Sequence, residues 1–118
     1  MELNKVKQIN YIIGSGVINA DDNDLSFNVG DKNTSFIQLR GTIDSYIKAQ
    51  MKIRTPNGEV VLIEGKTIAN NRNVCREFAV VVDEAGKYQA QIILSFKDKV
   101  NVSNIFNYTV NKSIGGEI

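Results

Sequence analysis

The sequence predicts an all-β domain, an antiparallel β-sandwich of about eight strands. Three observations carry that expectation. Ile, Val and Thr number 15, 12 and 5, against 5 Leu and 6 Ala, and stiff β-branched side chains suit pleated sheet better than helix. Apolar residues recur at every second position in several segments, and no segment has a helical period of useful length. Turn signals separate those segments at the short spacing of a sandwich or barrel. At 118 residues the chain is expected to form one domain with one core, residues 1–114. Residues 115–118 read as a flexible tail or the start of a linker.

The clearest strand is 46–54. Ile47, Ala49, Met51 and Ile53 alternate with Tyr46, Lys48, Gln50, Lys52 and Arg54, so one face is apolar and the other polar. Thr55-Pro56-Asn57-Gly58 follows. Pro presets φ and Asn-Gly accepts positive φ, so Pro56, Asn57 and Gly58 form a hairpin turn. Residues 59–66 return through Val60, Val61, Leu62 and Ile63.

The same alternation predicts further strands at 5–13 (Ile9, Tyr11 and Ile13 on one side) and around Leu25, Phe27 and Val29. It also predicts strands at 34–40 (Ile37 and Leu39 inward) and 77–82 (Phe78, Val80, Val82). The last two lie at 87–96 (Tyr88, Ala90, Ile92, Leu94, Phe96) and 104–111 (Phe106, Tyr108, Val110). The polar stretch 67–76 reads as a loop crossing between sheets.

Composition narrows function. Lys+Arg 14 against Asp+Glu 13 gives a net charge of +1, which argues against a nucleic-acid or anionic-membrane binder working by bulk electrostatics. There is no His or Trp, and one Cys. That excludes a His general base, a Ser-His or Cys-His pair and an intrachain disulfide. No apolar run approaches the ~20 residues of a membrane helix. No cofactor is expected, and the chain reads as a non-enzyme.

The remaining chemical motifs are weak. Gly14-Ser15-Gly16 lacks the third glycine of a dinucleotide loop, since position 19 is Asn19, and no helix pattern follows. Asp21-Asp22-Asn23-Asp24 suggests calcium. An EF-hand from Asp22, however, would need Gly and Glu where Phe27 and Asn33 stand. The run is read as a solvated loop. Cys75, near Arg72 and Arg76, is read as a structural thiol. Tyr46 is the one aromatic expected to face outward, short of the row a sugar platform needs.

Gly30-Asp31-Lys32-Asn33-Thr34 reads as a tight hairpin turn. Gly30 supplies free φ, and the Asp31 carboxylate is placed to accept N–H bonds from Asn33 or Thr34. Glu84-Ala85-Gly86-Lys87-Tyr88 resembles the tyrosine corner of immunoglobulin-like domains, in which the Tyr hydroxyl bonds back to upstream backbone. Gly86 and Tyr88 carry that resemblance. It implies an immunoglobulin-like sandwich without the disulfide, because Ala90 stands at the cysteine position.

A wider resemblance joins these motifs. Phe27, Gly30, Asp31, Asn33 and Thr34, an alternating strand, Pro56-Asn57-Gly58, Gly86 and Tyr88, then Phe106, Tyr108, Val110 and Ser113-Ile114 occur in that order. The order and spacing resemble the N-terminal domain of phage baseplate upper proteins. The resemblance implies a virion structural module, made in the bacterial host cytoplasm, which anchors to the tail tip and holds the receptor-binding apparatus. Its implied partners are other tail proteins and further copies of itself, with no nucleic acid and no membrane. The alternative is a carbohydrate- or cell-wall-binding sandwich. The first strand, in which Lys5 and Lys7 give way to Tyr11, Ile12 and Ile13, and the last strand 104–111, which has no charge, are expected to be open sheet edges. These strands, or the arm before residue 25, are expected to contact another chain.

Overall fold

The structure is a computed structural model that describes residues 4–12, 17–19, 25–40, 46–70 and 73–112. Among them the chain forms strands and no helix. In order the strands are β1 (Lys5–Ile12), β2 (Val17–Asn19), β3 (Ser26–Asn28), β4 (Ser35–Arg40), β5 (Lys48–Arg54) and β6 (Val60–Glu64). Then come β7 (Lys66–Asn70), β8 (Asn73–Ala79), β9 (Gly86–Phe96), β10 (Lys99–Val102) and β11 (Phe106–Asn111).

They build two sheets that share one core. The first has the order β2-β1-β4-β8-β7 and the second β3-β11-β9-β5-β6, with β10 beside β9. Ile9, Ile37, Leu39 and Phe78 from the first sheet meet Phe27, Met51, Ile53, Tyr88, Ile92 and Tyr108 from the second, all fully buried. Each is a position that the period-two pattern turns inward, and burying such a side chain is worth about 1.5–3 kcal/mol. Val80 and Val82 are also buried, although β8 ends at Ala79. They lie in the segment that carries the chain from one sheet to the other. Tyr11 and Ile13 lie outside what the structure describes of side chains.

Several expectations are corrected. The described residues form eleven strands, not about eight. The sheets are mixed rather than antiparallel, because β1 pairs β4 in parallel and β3 pairs β11 in parallel. The physical cause is that residues 29–34 do not make a hairpin. They carry the chain from β3 in one sheet to β4 in the other, so no hairpin fixes the direction of β4. The polar stretch read as a loop is the hairpin β7–β8. The terminal strands are not open edges: β1 lies between β2 and β4, and β11 between β3 and β9.

Gly65 makes the sharpest change of sheet, between β6 and β7. Its N–H bonds Ala49 O at 2.8 Å. A Cβ there would fall 2.8 Å from the Phe78 ring and 3.0 Å from Ala49 O, so the chain passes this corner only where no side chain is present.

Candidate interaction surface

The topology brings the three turn motifs to one end of the sandwich. Asn28 pairs with Asn111, Val110 pairs with Gly86, and Arg54 pairs with Gln89. Residues 30–34, 55–58 and 83–86 therefore all leave the sheets at that end. In the first turn, Gly30 and Asn33 have φ of +93° and +63°. Thr34 Oγ1 and Ser35 Oγ donate to the Asp31 carbonyl at 3.1 and 3.0 Å. The Asp31 carboxylate does not cap its own turn. It takes Lys5 Nζ at 2.7 Å, while Lys5 N–H donates to Thr34 O at 2.6 Å. The turn is thereby strapped to the start of β1, a long-range partner that local turn rules do not reveal.

In the second turn, Gly58 N–H donates to Thr55 O at 2.9 Å and Thr55 N–H to Glu59 O at 2.8 Å. Gly58 adopts φ +90°, and Asn57 Oδ1 accepts from Glu59 N–H at 3.1 Å. In the third, Gly86 has φ +143°. The Tyr88 hydroxyl donates to Glu84 O at 2.7 Å and accepts from Glu84 N–H at 3.2 Å. Tyr88 stacks on Tyr108 with ring centroids 4.7 Å apart, and the Tyr108 hydroxyl donates to Val81 O at 2.8 Å. Two buried phenols thus hold the segment that crosses between the sheets.

Arg76 is a structural residue that sequence reasoning did not find. It is buried on β8, opposite Thr67 on β7. Its guanidinium donates to Thr67 Oγ1 and, across the sandwich, to Ile47 O at 2.6 Å. Cys75 beside it is half-buried. Burial, then Glu77, raises its pKa against the smaller opposing pull of Arg40 and Arg76. The thiol is thus held protonated, unlike a reactive cysteine. Gly14, Gly16, Asp21, Asp22 and Asp24 lie outside the described residues. Tyr46 is exposed and packs on Phe96 at 4.8 Å, with Lys97 Nζ 5.2 Å from the Phe96 ring.

The surface with the clearest capacity to bind is the outer face of the second sheet. Cross-strand partners share a face, so the register gives rows across it. These are Val60–Arg54–Gln89–Asn107, Leu62–Lys52–Gln91, Glu64–Gln50–Ile93–Val102 and Lys48–Ser95–Val100. Val60, Leu62, Val100, Val102 and Ile105 on this side are each about half exposed or more. A shallow hollow of about 110 Å³ lies among Lys52, Arg54, Val60, Gln89, Gln91 and Ile105. That is small beside the ~300–1,000 Å³ of a ligand pocket, and its rim is basic and amide-bearing. The sequence signal was present: four apolar residues in succession at 60–63 cannot all point inward from a strand.

No known protein family matches this chain, and no curated protein sequence does.

Proposed function

We propose that the chain is a non-catalytic, immunoglobulin-like sandwich that serves as a structural module of a phage or prophage tail baseplate. The observation that carries an assembly role is the outer face of the second sheet, where Val60, Leu62, Val100, Val102 and Ile105 stand in water. Aliphatic side chains grouped on one face gain most from protein contact. The Tyr88 hydroxyl bond to Glu84, four residues upstream, supports the immunoglobulin-like assignment. The assignment to a baseplate rests on the order of the motifs from Phe27 to Val110. In this reading the module anchors to the tail tip and supports the receptor-binding apparatus through interfaces with tail proteins and with its own copies.

The test is to label phage particles, released by a host that encodes this chain, with gold-conjugated antibody against it. Gold at the tail tip is the expected result. Particles that carry no label, with the chain left in the soluble fraction, would remove the baseplate reading.

A further inference from the structure

We propose that β6 is a self-pairing edge through which two copies join antiparallel about a two-fold axis at Leu62. The inference deepens the assembly role above and rests on that reading. It begins with a comparison of the edges. β3 is three residues long, and short edges pair poorly; of β2 only Val17–Asn19 are described. β7 reads Lys-Thr-Ile-Ala-Asn and β10 begins with Lys99, and an edge lysine blocks strand addition. β6 reads Val-Val-Leu-Ile-Glu, pairs only with β5 among the described residues, and contains no lysine or proline.

The hydrogen-bond phase of this edge is determined by its two ends. Thr55 N–H bonds Glu59 O just before β6, and Gly65 N–H bonds Ala49 O just after it. Backbone groups in an antiparallel ladder alternate sides. Val61 and Ile63 therefore bond β5, and the N–H and C=O of Val60, Leu62 and Glu64 point away from it. A second β6 centred on Leu62 meets every one of those groups. Leu62 faces the Leu62 of the other copy, and Val60 faces its Glu64, each pair exchanging both bonds.

The side chains fit the same register. The two Leu62 side chains, each half exposed in the single chain, cover one another. Val60 pairs with Arg54 inside its own sheet, so Glu64 of one copy lies in one row with Arg54 of the other, with Val60 between them. Arg54 has no carboxylate partner among the described residues. Glu64 is held only at the surface, 3.9 Å from Lys48 Nζ and bonded by Gln50 Nε2. The charges are complementary on both sides of the axis, as an isologous contact requires. A five-residue strand buries less than the ~1,200 Å² of a stable complex. The isolated pair is therefore weak, and it gains strength when other contacts in an assembly hold the copies together.

Sedimentation velocity on the whole chain over a wide concentration range should give a monomer–dimer equilibrium. Leu62→Lys, which sets two ammonium groups face to face, should weaken it by about tenfold or more. A second measurement fixes the register. In a Cys75→Ser background, Leu62→Cys should oxidise to a symmetric disulfide, because bonded antiparallel partners lie ~5.5 Å apart at Cα. Val60→Cys, which faces Glu64, should not. A chain that stays monomeric, a dimer untouched by Leu62→Lys, or equal cross-linking at positions 60 and 62 would each overturn the inference. Gold at the tail tip together with any of these results would leave the baseplate reading standing without it.

Discussion

Pro56 lies against Gly86 so closely that a Cβ at position 86 would fall 2.7 Å from Pro56 Cγ. The contact locks the hairpin turn between β5 and β6 onto the first residue of β9. Two motifs thirty residues apart in the chain thus become one piece of structure. Gly86 is needed twice there, for the missing side chain and for its φ of +143°. Gly86→Ala should destabilise the fold by about 2 kcal/mol. Pro56→Ala in the same chain should recover part of that loss, since it removes the nearer contact, Cγ, and leaves the 3.0 Å contact to Cβ and the backbone strain. Urea denaturation of the two single variants and the double variant measures the coupling.

Asp31→Ala should cost less than a lost turn cap, because its carboxylate serves Lys5 at the surface. An ion pair this exposed is worth about 0.2–1 kcal/mol. The coupling between Asp31→Ala and Lys5→Ala should largely disappear at high salt, where screening is strong. A coupling unchanged by salt would mean that the carboxylate acts on the turn itself.

Tyr108 gives a pH dependence with a defined sign. Burial, and next the neighbouring Tyr88, push its pKa far above the ordinary phenol range. The folded state therefore prefers the neutral phenol. Its contribution is complete below the unfolded value of ~10 and is lost as pH rises above it, at up to about 1.4 kcal/mol per pH unit. Melting temperatures of the native chain should fall more steeply above that value than those of Tyr108→Phe. At neutral pH the Phe variant should be weaker by about 1 kcal/mol, for the lost bond to Val81 O.

Arg76→Met should cost about 1–2 kcal/mol, since Ile47 O in the half-buried segment before β5 loses its donor, whereas Thr67 is exposed and water can replace the guanidinium at its hydroxyl. Arg76→Lys should not restore the loss, because a single ammonium cannot span two acceptors as a planar guanidinium does. Comparing the denaturation midpoints of both variants with the native chain tests this.

The core was readable in the sequence wherever one face of a strand is buried and the other wet. Residues 49–53, 88–94 and 106–110 each alternate as expected, because period two is the signature of that environment. Legibility failed at the margins of the sheets. β7 and the first half of β8, residues 67–76, read as a loop because strand at the margin of a sheet tolerates the polar residues Thr67, Asn70 and Asn73, whereas the second half of β8 lies within the predicted strand 77–82. β10 alternates in sequence, Val100 and Val102 between Lys99 and Asn101, but a run of four residues is too short to stand out, and all four are exposed. Partnership was not legible at all: nothing local tells Lys5 that it will meet Asp31, or β1 that it will run parallel to β4. The same gap explains why the terminal strands read as edges, whereas the exposure of Val60 and Leu62 was signalled by the apolar run 60–63.

The place of β11 governs when this domain can exist during its synthesis. β11 fills the slot between β9, its antiparallel neighbour, and β3, its parallel one. β3 leaves the ribosome before every strand from β4 to β11, and it has no other partner among the described residues. Until residue 111 emerges, β3 must wait unpaired, with the buried side chains of β9 uncovered on one flank. Such long-range closure folds slowly and leaves apolar surface open to aggregation. Nascent chains stalled after β10 should therefore be protease-sensitive along their whole length, and release of the last strand should bring protection to both sheets in a single step.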